Sequence, residues 1–297
     1  MTINRSSQEK PLEKLLIVGC GDIGQRLARQ LDPSRYQVTG LRRNPPAGQT
    51  SNLEYRSCDV TRTDQLDSIV SQGYDIILIT MTPSERSDAG YERAYVQTCR
   101  NLVDSLQRQQ QRPRLIIFVS STAVYAQDDG SWVDENSPTQ PESFSGKRLL
   151  EAEQLVQESG FAHSIVRFSG IYGPGRNRLI EQVKQGRASA SPHITNRIHA
   201  EDCAGMLAHL IELQTNQDLA GLYVATDSYP APMIEVVSWI AERLGVGSFL
   251  SPDAVNERGN KRISNRRLLE SGYQLQFADF RSGYAPLVDE EQQKQLL

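Results

Sequence analysis

Cysteine is scarce in this chain, and what there is lies scattered. Its four cysteines, Cys20, Cys58, Cys99 and Cys203, stand far apart among 297 residues without metal-ligand spacing, so neither a disulfide framework nor a metal site is indicated. They fall in apolar stretches, where cysteine behaves as a small hydrophobe. A dominant charge is also lacking: 32 Lys and Arg stand against 36 Asp and Glu, a net charge of −4. That leaves no general electrostatic case for nucleic acid or an anionic membrane as partner. No apolar run approaches membrane-spanning length, and residues 1–11, MTINRSSQEKP, lack the apolar core of a signal peptide. The expectation is a cytoplasmic protein with small-molecule partners. With 38% hydrophobic residues, the chain can bury a sizeable core in one or two domains.

What is present is concentrated in one stretch, Lys14 to Leu31, which reads KLLIVGCGDIGQRLARQL. The apolar run Leu15–Val18 predicts a buried strand, and the turn Gly19-Cys20-Gly21-Asp22-Ile23-Gly24 leads directly into a helical pattern. In such a turn Gly19 permits the bend, Gly21 lets backbone approach a pyrophosphate, and Gly24 lets helix and strand pack closely. Ile23, Leu27 and Leu31 share the inward face. The helix N-terminus offers free N–H groups and a positive dipole end to a dianionic ligand. The bland alternative is an ordinary tight turn, but the strand-turn-helix context favours a dinucleotide.

Further strands are predicted at Tyr36–Leu41, Leu53–Arg56, Tyr74–Thr80, Arg114–Val119, His163–Phe168 and Leu222–Thr226. Helical patterns occupy residues 89–111 and Lys147–Ser159, the latter with Leu149, Leu150, Ala152 and Leu155 available for burial, and a helix with Leu66, Ile69 and Val70 on one face follows Asp59-Val60. Alternating strands and helices imply right-handed crossovers. The predicted architecture is α/β, a Rossmann-type doubly wound parallel sheet with a small, mainly helical C-terminal substrate lobe. Residues 12–175 form mainly the dinucleotide-binding domain and 176–297 mainly the lobe, with some strands returning to the sheet. At the end of the second strand, where a ribose-binding acid is expected, stand Arg42 and Arg43. Guanidinium groups there suit a 2′-phosphate, which makes NADP the expected cofactor and NAD the alternative. A solvated arginine pair would look the same in sequence. Thr80 and Met81, ending the fourth strand, should line the cofactor crevice.

These residues together resemble the extended short-chain dehydrogenase/reductases, the NAD-dependent epimerase/dehydratase family, over about residues 14–290. The landmarks are GCGDIG, Asp59-Val60, Ser120-Ser121-Thr122-Ala123-Val124-Tyr125, Val166-Arg167 leading into Ile171-Tyr172-Gly173-Pro174, and Arg197-Ile198-His199-Ala200-Glu201-Asp202-Cys203-Ala204. The pattern is most similar to the atypical, YeeZ-like bacterial subgroup. The resemblance implies that Gly19, Gly21, Asp22, Ile23, Gly24, Arg42, Arg43, Asp59, Val60, Thr80, Met81, Ser120, Lys147, Phe168, Ser169, Gly170 and Ile171 meet the cofactor. It also implies that Ser121 holds a substrate oxygen, that Lys147 anchors the nicotinamide ribose, and that Thr122 lies on the substrate side. A homodimer built on the helix within 89–111 and the helix from Lys147 is implied as well.

The family's tyrosine position, four residues before the lysine, is Ser143. A phenol with a pKa near 10 can be lowered by a neighbouring lysine, whereas a serine hydroxyl is a poorer acid and too short to reach the same place. Tyr125 and His199 are the candidate replacements; packing is the alternative for Tyr125, and a hydrogen-bonded core position for His199. Tyr95 stands where many relatives have asparagine. In the lobe, Arg176, Arg178, Arg197, Lys261, Arg262, Arg266 and Arg267 form a basic set. Relatives use such residues for a nucleotide diphosphate, so Arg176, Arg197, His199 and Arg262 are the substrate-binding candidates, against surface ion pairing for each arginine. Two functions remain open: an oxidoreductase or epimerase acting on a nucleotide-linked or phosphorylated carbonyl compound, or a catalytically silent NADP(H)-binding regulator.

Overall fold

The structure, a computed structural model, describes residues 11–46, 52–247 and 259–295. The polar stretch 1–10 lies outside the described residues, as do 248–258 and 296–297 of the expected lobe. β1 (Glu13–Val18) hands over to α1 (Asp22–Gln30), and β2 (Tyr36–Arg42), β3 (Leu53–Ser57) and α2 (Thr63–Val70) follow. β4 (Ile76–Ile79) leads to α3 (Asp88–Tyr91), a π-helical turn at Glu92–Gln97 and α4 (Thr98–Arg108). β5 (Leu115–Ser121), the short β6 (Trp132–Val133), α5 (Phe144–Gln157) and β7 (His163–Phe168) come next. The remainder runs β8 (Gly170–Tyr172), α6 (Arg178–Lys184), β9 (Ile194–Thr195), β10 (Arg197–His199), α7 (Ala200–Leu213) and β11 (Leu222–Ala225). It closes with β12 (Ala231–Pro232), α8 (Met233–Leu244), β13 (Arg262–Ile263), α9 (Arg266–Glu270) and α10 (Phe280–Gln295).

Seven strands pair in the order β11-β7-β5-β4-β1-β2-β3, parallel throughout. Because successive strand residues face opposite ways, β1 feeds two cores. Leu15 and Ile17 pack with Ile23 and Leu27 of α1 and with Ala204, Leu207 and Ile211 of α7. Leu16 and Val18 pack with Leu66 of α2, Leu102 and Leu106 of α4, and Leu149 and Val156 of α5. All four residues of β4 are buried, as a central parallel strand covered on both faces requires. A third core joins Ile180 of α6, Val236 and Ile240 of α8, and Leu287 and Val288 of α10, forming the helical lobe. α7 and β11, though late in the chain, belong to the sheet layers.

Two elements differ from the sequence reading. The segment expected as one helix over 89–111 is α3, the π turn and α4: the buried positions Gly90 and Ala94 give way to Cys99, Leu102 and Leu106. The wider turn absorbs the change of register. In α5 the buried face is Gly146, Leu149, Ala152, Glu153 and Val156, while Leu150 and Leu155 are only half-buried. A glutamate inside that face was not expected, and its partners explain it. Glu153 Oε1 accepts from Ser120 Oγ at 2.5 Å and from Arg167 Nε at 3.0 Å, and Oε2 accepts from Arg167 Nη2 at 2.6 Å. Arg167 Nη1 donates to the Tyr125 hydroxyl at 2.9 Å, which donates onward to the Asp134 carbonyl at 2.8 Å.

Glu153 and Arg167 are 2% and 5% exposed, so removing one charge strands the other in a low-dielectric interior. Glu153→Ala should therefore lower unfolding free energy by about 3–5 kcal/mol in urea denaturation. A loss below about 1 kcal/mol, the range of an exposed pair, would refute this account.

Candidate cofactor and active site

The strand order reverses at the gap between β1 and β4, and ligands of open parallel sheets lie outside the carboxyl ends of the strands at such a point. The turn after β1 occupies that gap. Gly19 has φ +80°, and a Cβ there would come within 2.6 Å of Met81 Sδ. Thr80 closes the other side, its Oγ1 donating to the Gly19 carbonyl at 2.8 Å. A Cβ on Gly21 would meet only the Gly19 carbonyl oxygen, at 3.9 Å, so that face of the turn is open to a ligand. A Cβ on Gly24 would lie 3.0 Å from both Ile17 Cγ2 and Cys20 Sγ, which places α1 hard against β1. Ile23 is buried. No side chain caps α1, leaving its first-turn N–H groups directed at the mouth. A dinucleotide pyrophosphate fits this cradle.

Arg42 ends β2 half-buried beside the Tyr55 hydroxyl, and Arg43 is exposed. Asp59 Oδ1 accepts from Thr61 N at 3.0 Å and Thr61 Oγ1 at 2.7 Å, hydrogen bonds that hold its carboxyl below the usual range. The neighbouring Val60 is buried, and its carbonyl accepts from Asn101 Nδ2 at 3.0 Å.

At the end of β5, Ser120 and Ser121 part company. Ser120 turns its hydroxyl inward to Glu153, whereas Ser121 and Thr122 are half-buried at the strand's carboxyl end. Ser121 Oγ accepts from Ala123 N at 3.2 Å. Tyr125 is the clearest correction: 3% exposed, its hydroxyl is committed to Arg167 and the Asp134 carbonyl, so no proton relay runs through it. Ser143 caps α5, accepting from Gly146 N at 3.2 Å. Lys147 is exposed in the first turn beyond it. Tyr95 sets its ring edge-on to Phe118 of β5.

The lobe candidates separate in the same way. His199 is a second correction: Nδ1 accepts from Glu201 N at 3.2 Å to cap α7, and the ring packs 3.8 Å from Phe277 and 5.3 Å from Tyr172 between centroids. Burial pushes its pKa down from 6.5 to about 4, so the ring is neutral and structural. Arg262 also holds structure, donating to the Gly130 carbonyl. Arg197 is buried, with Nη2 donating to Thr195 Oγ1 at 2.7 Å. Phe168 lies in the core, and the N–H groups of Ser169 and Gly170 are taken by the Ala225 and Asn196 carbonyls at 3.0 and 3.2 Å. Ile171 is half-buried. Arg176 meets the glycine turn, with Nε 3.1 Å from Asp22 Oδ2. Sequence reasoning missed Arg26, although its place four residues after Asp22 signals the pair it forms: Nε to Asp22 Oδ1 is 2.8 Å. Among the described residues, no cluster of His, Cys, Asp and Glu is arranged to hold a metal ion, and no helix is long and apolar enough to cross a membrane.

The profile of the family described as NAD(P)H-binding matches residues 19–213, from the first glycine of the turn to the end of α7. The chain belongs to that family. NAD(P) is therefore its cofactor. Over 279 residues the chain is 29% identical to protein YeeZ of Escherichia coli K12, covering 90% of this chain and 97% of that one. A solved structure from Methylobacillus flagellatus, described as a candidate NAD-dependent epimerase/dehydratase, is 40% identical. The match covers 95% of this chain and 99% of that one, with a TM-score of 0.80. UDP-glucuronic acid 4-epimerase of Bacillus cereus, solved with UDP-glucuronic acid and NAD, shares the fold at 18% identity. Its TM-score is 0.80, over 96% of this chain and 100% of that one. The chain is thus an NAD(P)-binding protein with the epimerase/dehydratase fold.

Gly21→Ala should leave the thermal midpoint within about 2 °C, since a methyl group there meets only one distant atom, yet weaken NADPH binding by about tenfold or more in calorimetric titration. Unchanged binding would remove Gly21 from the cradle. For His199, the folded pKa lies below the unfolded value. The neutral ring therefore contributes stability that is fully present above pH 6.5 and is lost as pH falls through about 4. The difference in unfolding free energy between wild type and His199→Asn should shrink by about 3 kcal/mol across that window. A difference constant with pH would refute the assignment.

Proposed function

We propose that the chain is an NADP(H)-dependent oxidoreductase or epimerase acting on a carbonyl or hydroxyl compound that carries a phosphate or nucleotide. The observation that carries this reading is the open face of the glycine turn at Gly21, with Ser121 and Thr122 half-buried at the end of β5, two strands along the sheet, and Lys147 exposed near the start of α5. The bound nicotinamide supplies a carbon that accepts or donates hydride. In this reading Ser121 donates a hydrogen bond to the substrate oxygen, Lys147 holds the nicotinamide ribose, and Thr122 borders the substrate. The substrate class is supported by the fold shared with an epimerase solved with UDP-glucuronic acid.

One observation favours the second reading, an NADP(H)-binding regulator without turnover: the Ser143 hydroxyl caps a helix and the Tyr125 phenol is buried in an ionic network. Monitoring nicotinamide absorbance against nucleotide sugars and phosphorylated carbonyl compounds separates the two. Turnover that falls about 10² or more in Ser121→Ala supports the enzyme; tight cofactor binding without turnover of any compound supports the regulator. Assembly as a homodimer through α3, α4 and α5 fits the exposed Phe144 on that face, and a cytoplasmic location fits four unpaired, buried cysteines.

The cofactor preference follows from Arg42 and Arg43. Replacing both with alanine should weaken NADPH binding by about tenfold or more, the scale of one lost charge-assisted hydrogen bond, while NADH binding changes less than about twofold. Equal losses for the two cofactors, measured calorimetrically, would count against a 2′-phosphate site.

A further inference from the structure

Asp22 is an unusual neighbour for a dianion. It is the first residue of α1, at the point where the pyrophosphate meets the helix N-terminus, and a carboxylate there would repel the ligand unless neutralised. Two arginines do so from different parts of the chain. Arg26, one turn on, takes Oδ1, and Arg176, from the segment after β8, takes Oδ2. Arg26 is largely buried and its other nitrogens are already spent, Nη1 on Glu201 and Nη2 on the Pro174 carbonyl at 3.0 Å. Arg176 is different. Its side chain is 37% exposed and engages Asp22 through Nε alone, so both terminal nitrogens are without a protein partner among the described residues. The Pro174 contact and Gly175, at φ +81°, bring Arg176 back over the turn from 154 positions away.

We infer that Arg176 is a cofactor ligand: Asp22 holds its guanidinium by Nε so that the two terminal nitrogens face the pyrophosphate at the mouth of α1. The inference rests on the NAD(P) assignment and moves Arg176 from the substrate's diphosphate, where sequence reasoning put it, to the cofactor's. A planar guanidinium suits this task because one edge can stay with the carboxylate while the other forks onto phosphate oxygens. Asp22 is then a positioning residue whose charge Arg176 also screens. A surface ion pair alone would be worth little and would leave ligand affinity untouched.

Calorimetric titration of the full chain with NADPH and with NADH, without substrate, tests this. Arg176→Gln should weaken both cofactors alike by about tenfold or more, and Arg176→Lys should lose less, because it keeps the charge without the fork. Adding Asp22→Asn to Arg176→Gln should regain part of the loss, since the unscreened carboxylate is then gone. Binding of both cofactors within about twofold of wild type in Arg176→Gln would overturn the inference. So would a loss confined to NADPH, which would place Arg176 at the 2′-phosphate. A wild-type chain that binds neither cofactor would overturn the cofactor assignment itself, and is distinguishable because no variant is needed to see it.

Discussion

Helix α1 reaches the sheet only because residue 24 has no side chain. With both Ile17 and Cys20 positioned 3.0 Å from where a Cβ would stand, any larger residue would push the helix away and carry its first-turn N–H groups out of the crevice. Cys20 is shared between two such contacts, because a Cβ on Gly40 of β2 would approach its sulfur and Cβ to 2.8 Å. The thiol therefore fills the space left by two glycines, and burial pushes its pKa up to about 11. It is a packing group, as its complete burial requires. From this contact the rest of α1 follows: Leu27 enters the core, Arg26 reaches the second half of the chain, and the helix mouth stays fixed on the strand ends.

Satisfaction of buried polar groups decides which hydroxyls remain for chemistry. A buried Glu153 requires every donor it can gather, and Ser120 and Arg167 supply them. Arg167 then needs an acceptor for Nη1 and takes the Tyr125 phenol. The chain of partners runs from α5 through β7 and β5 to Asp134, just after β6, and it consumes two of the hydroxyls that the sequence presents near the carboxyl end of β5. Ser143 is consumed differently, by the free N–H groups that every helix start must satisfy. What is left accessible at this edge is Ser121, Thr122 and Lys147.

Much of the fold is legible because its signals are local. The Leu15–Val18 run, the glycine turn and the fully apolar Ile76–Ile79 each carry their own period or punctuation. The π turn at Glu92–Gln97 is not legible, since one extra residue in a helix changes register without changing composition. Long-range polar pairs are only half legible: Arg167, inside the apolar run His163–Phe168, reads as a buried structural partner, but nothing local marks Glu153 as that partner until the fold brings α5 over β7 and β5. His199 and Tyr125 show the same limit from the other side. Their chemistry permits catalysis, and only their hydrogen-bond partners and burial show that it is spent on structure. The glycines of the first turn are the opposite case, because a pattern of glycines states directly where side chains must be absent, and a Cβ on Gly24 would indeed crowd Ile17 and Cys20.

The two halves of the chain are joined around the glycine turn, through Arg26 with Glu201 and Arg176 with Asp22. Asp202, fully buried on α7, accepts from Gln276 N at 2.7 Å and the Tyr273 hydroxyl at 2.9 Å with Oδ1, and from Phe277 N at 3.0 Å with Oδ2. Burial raises its pKa even against these hydrogen bonds, so the carboxylate is retained for what it organises. It fixes the segment that leads into α10 of the lobe onto α7, while Glu201, the preceding residue, binds Arg26 of α1. His199 caps the same helix and packs on Phe277. One helix thus carries contacts to α1 at one flank and to the segment leading into the lobe at the other. A phosphate bound at the N-terminus of α1 is consequently only two ion pairs, Asp22 with Arg26 and Arg26 with Glu201, from the element that sets the lobe's position.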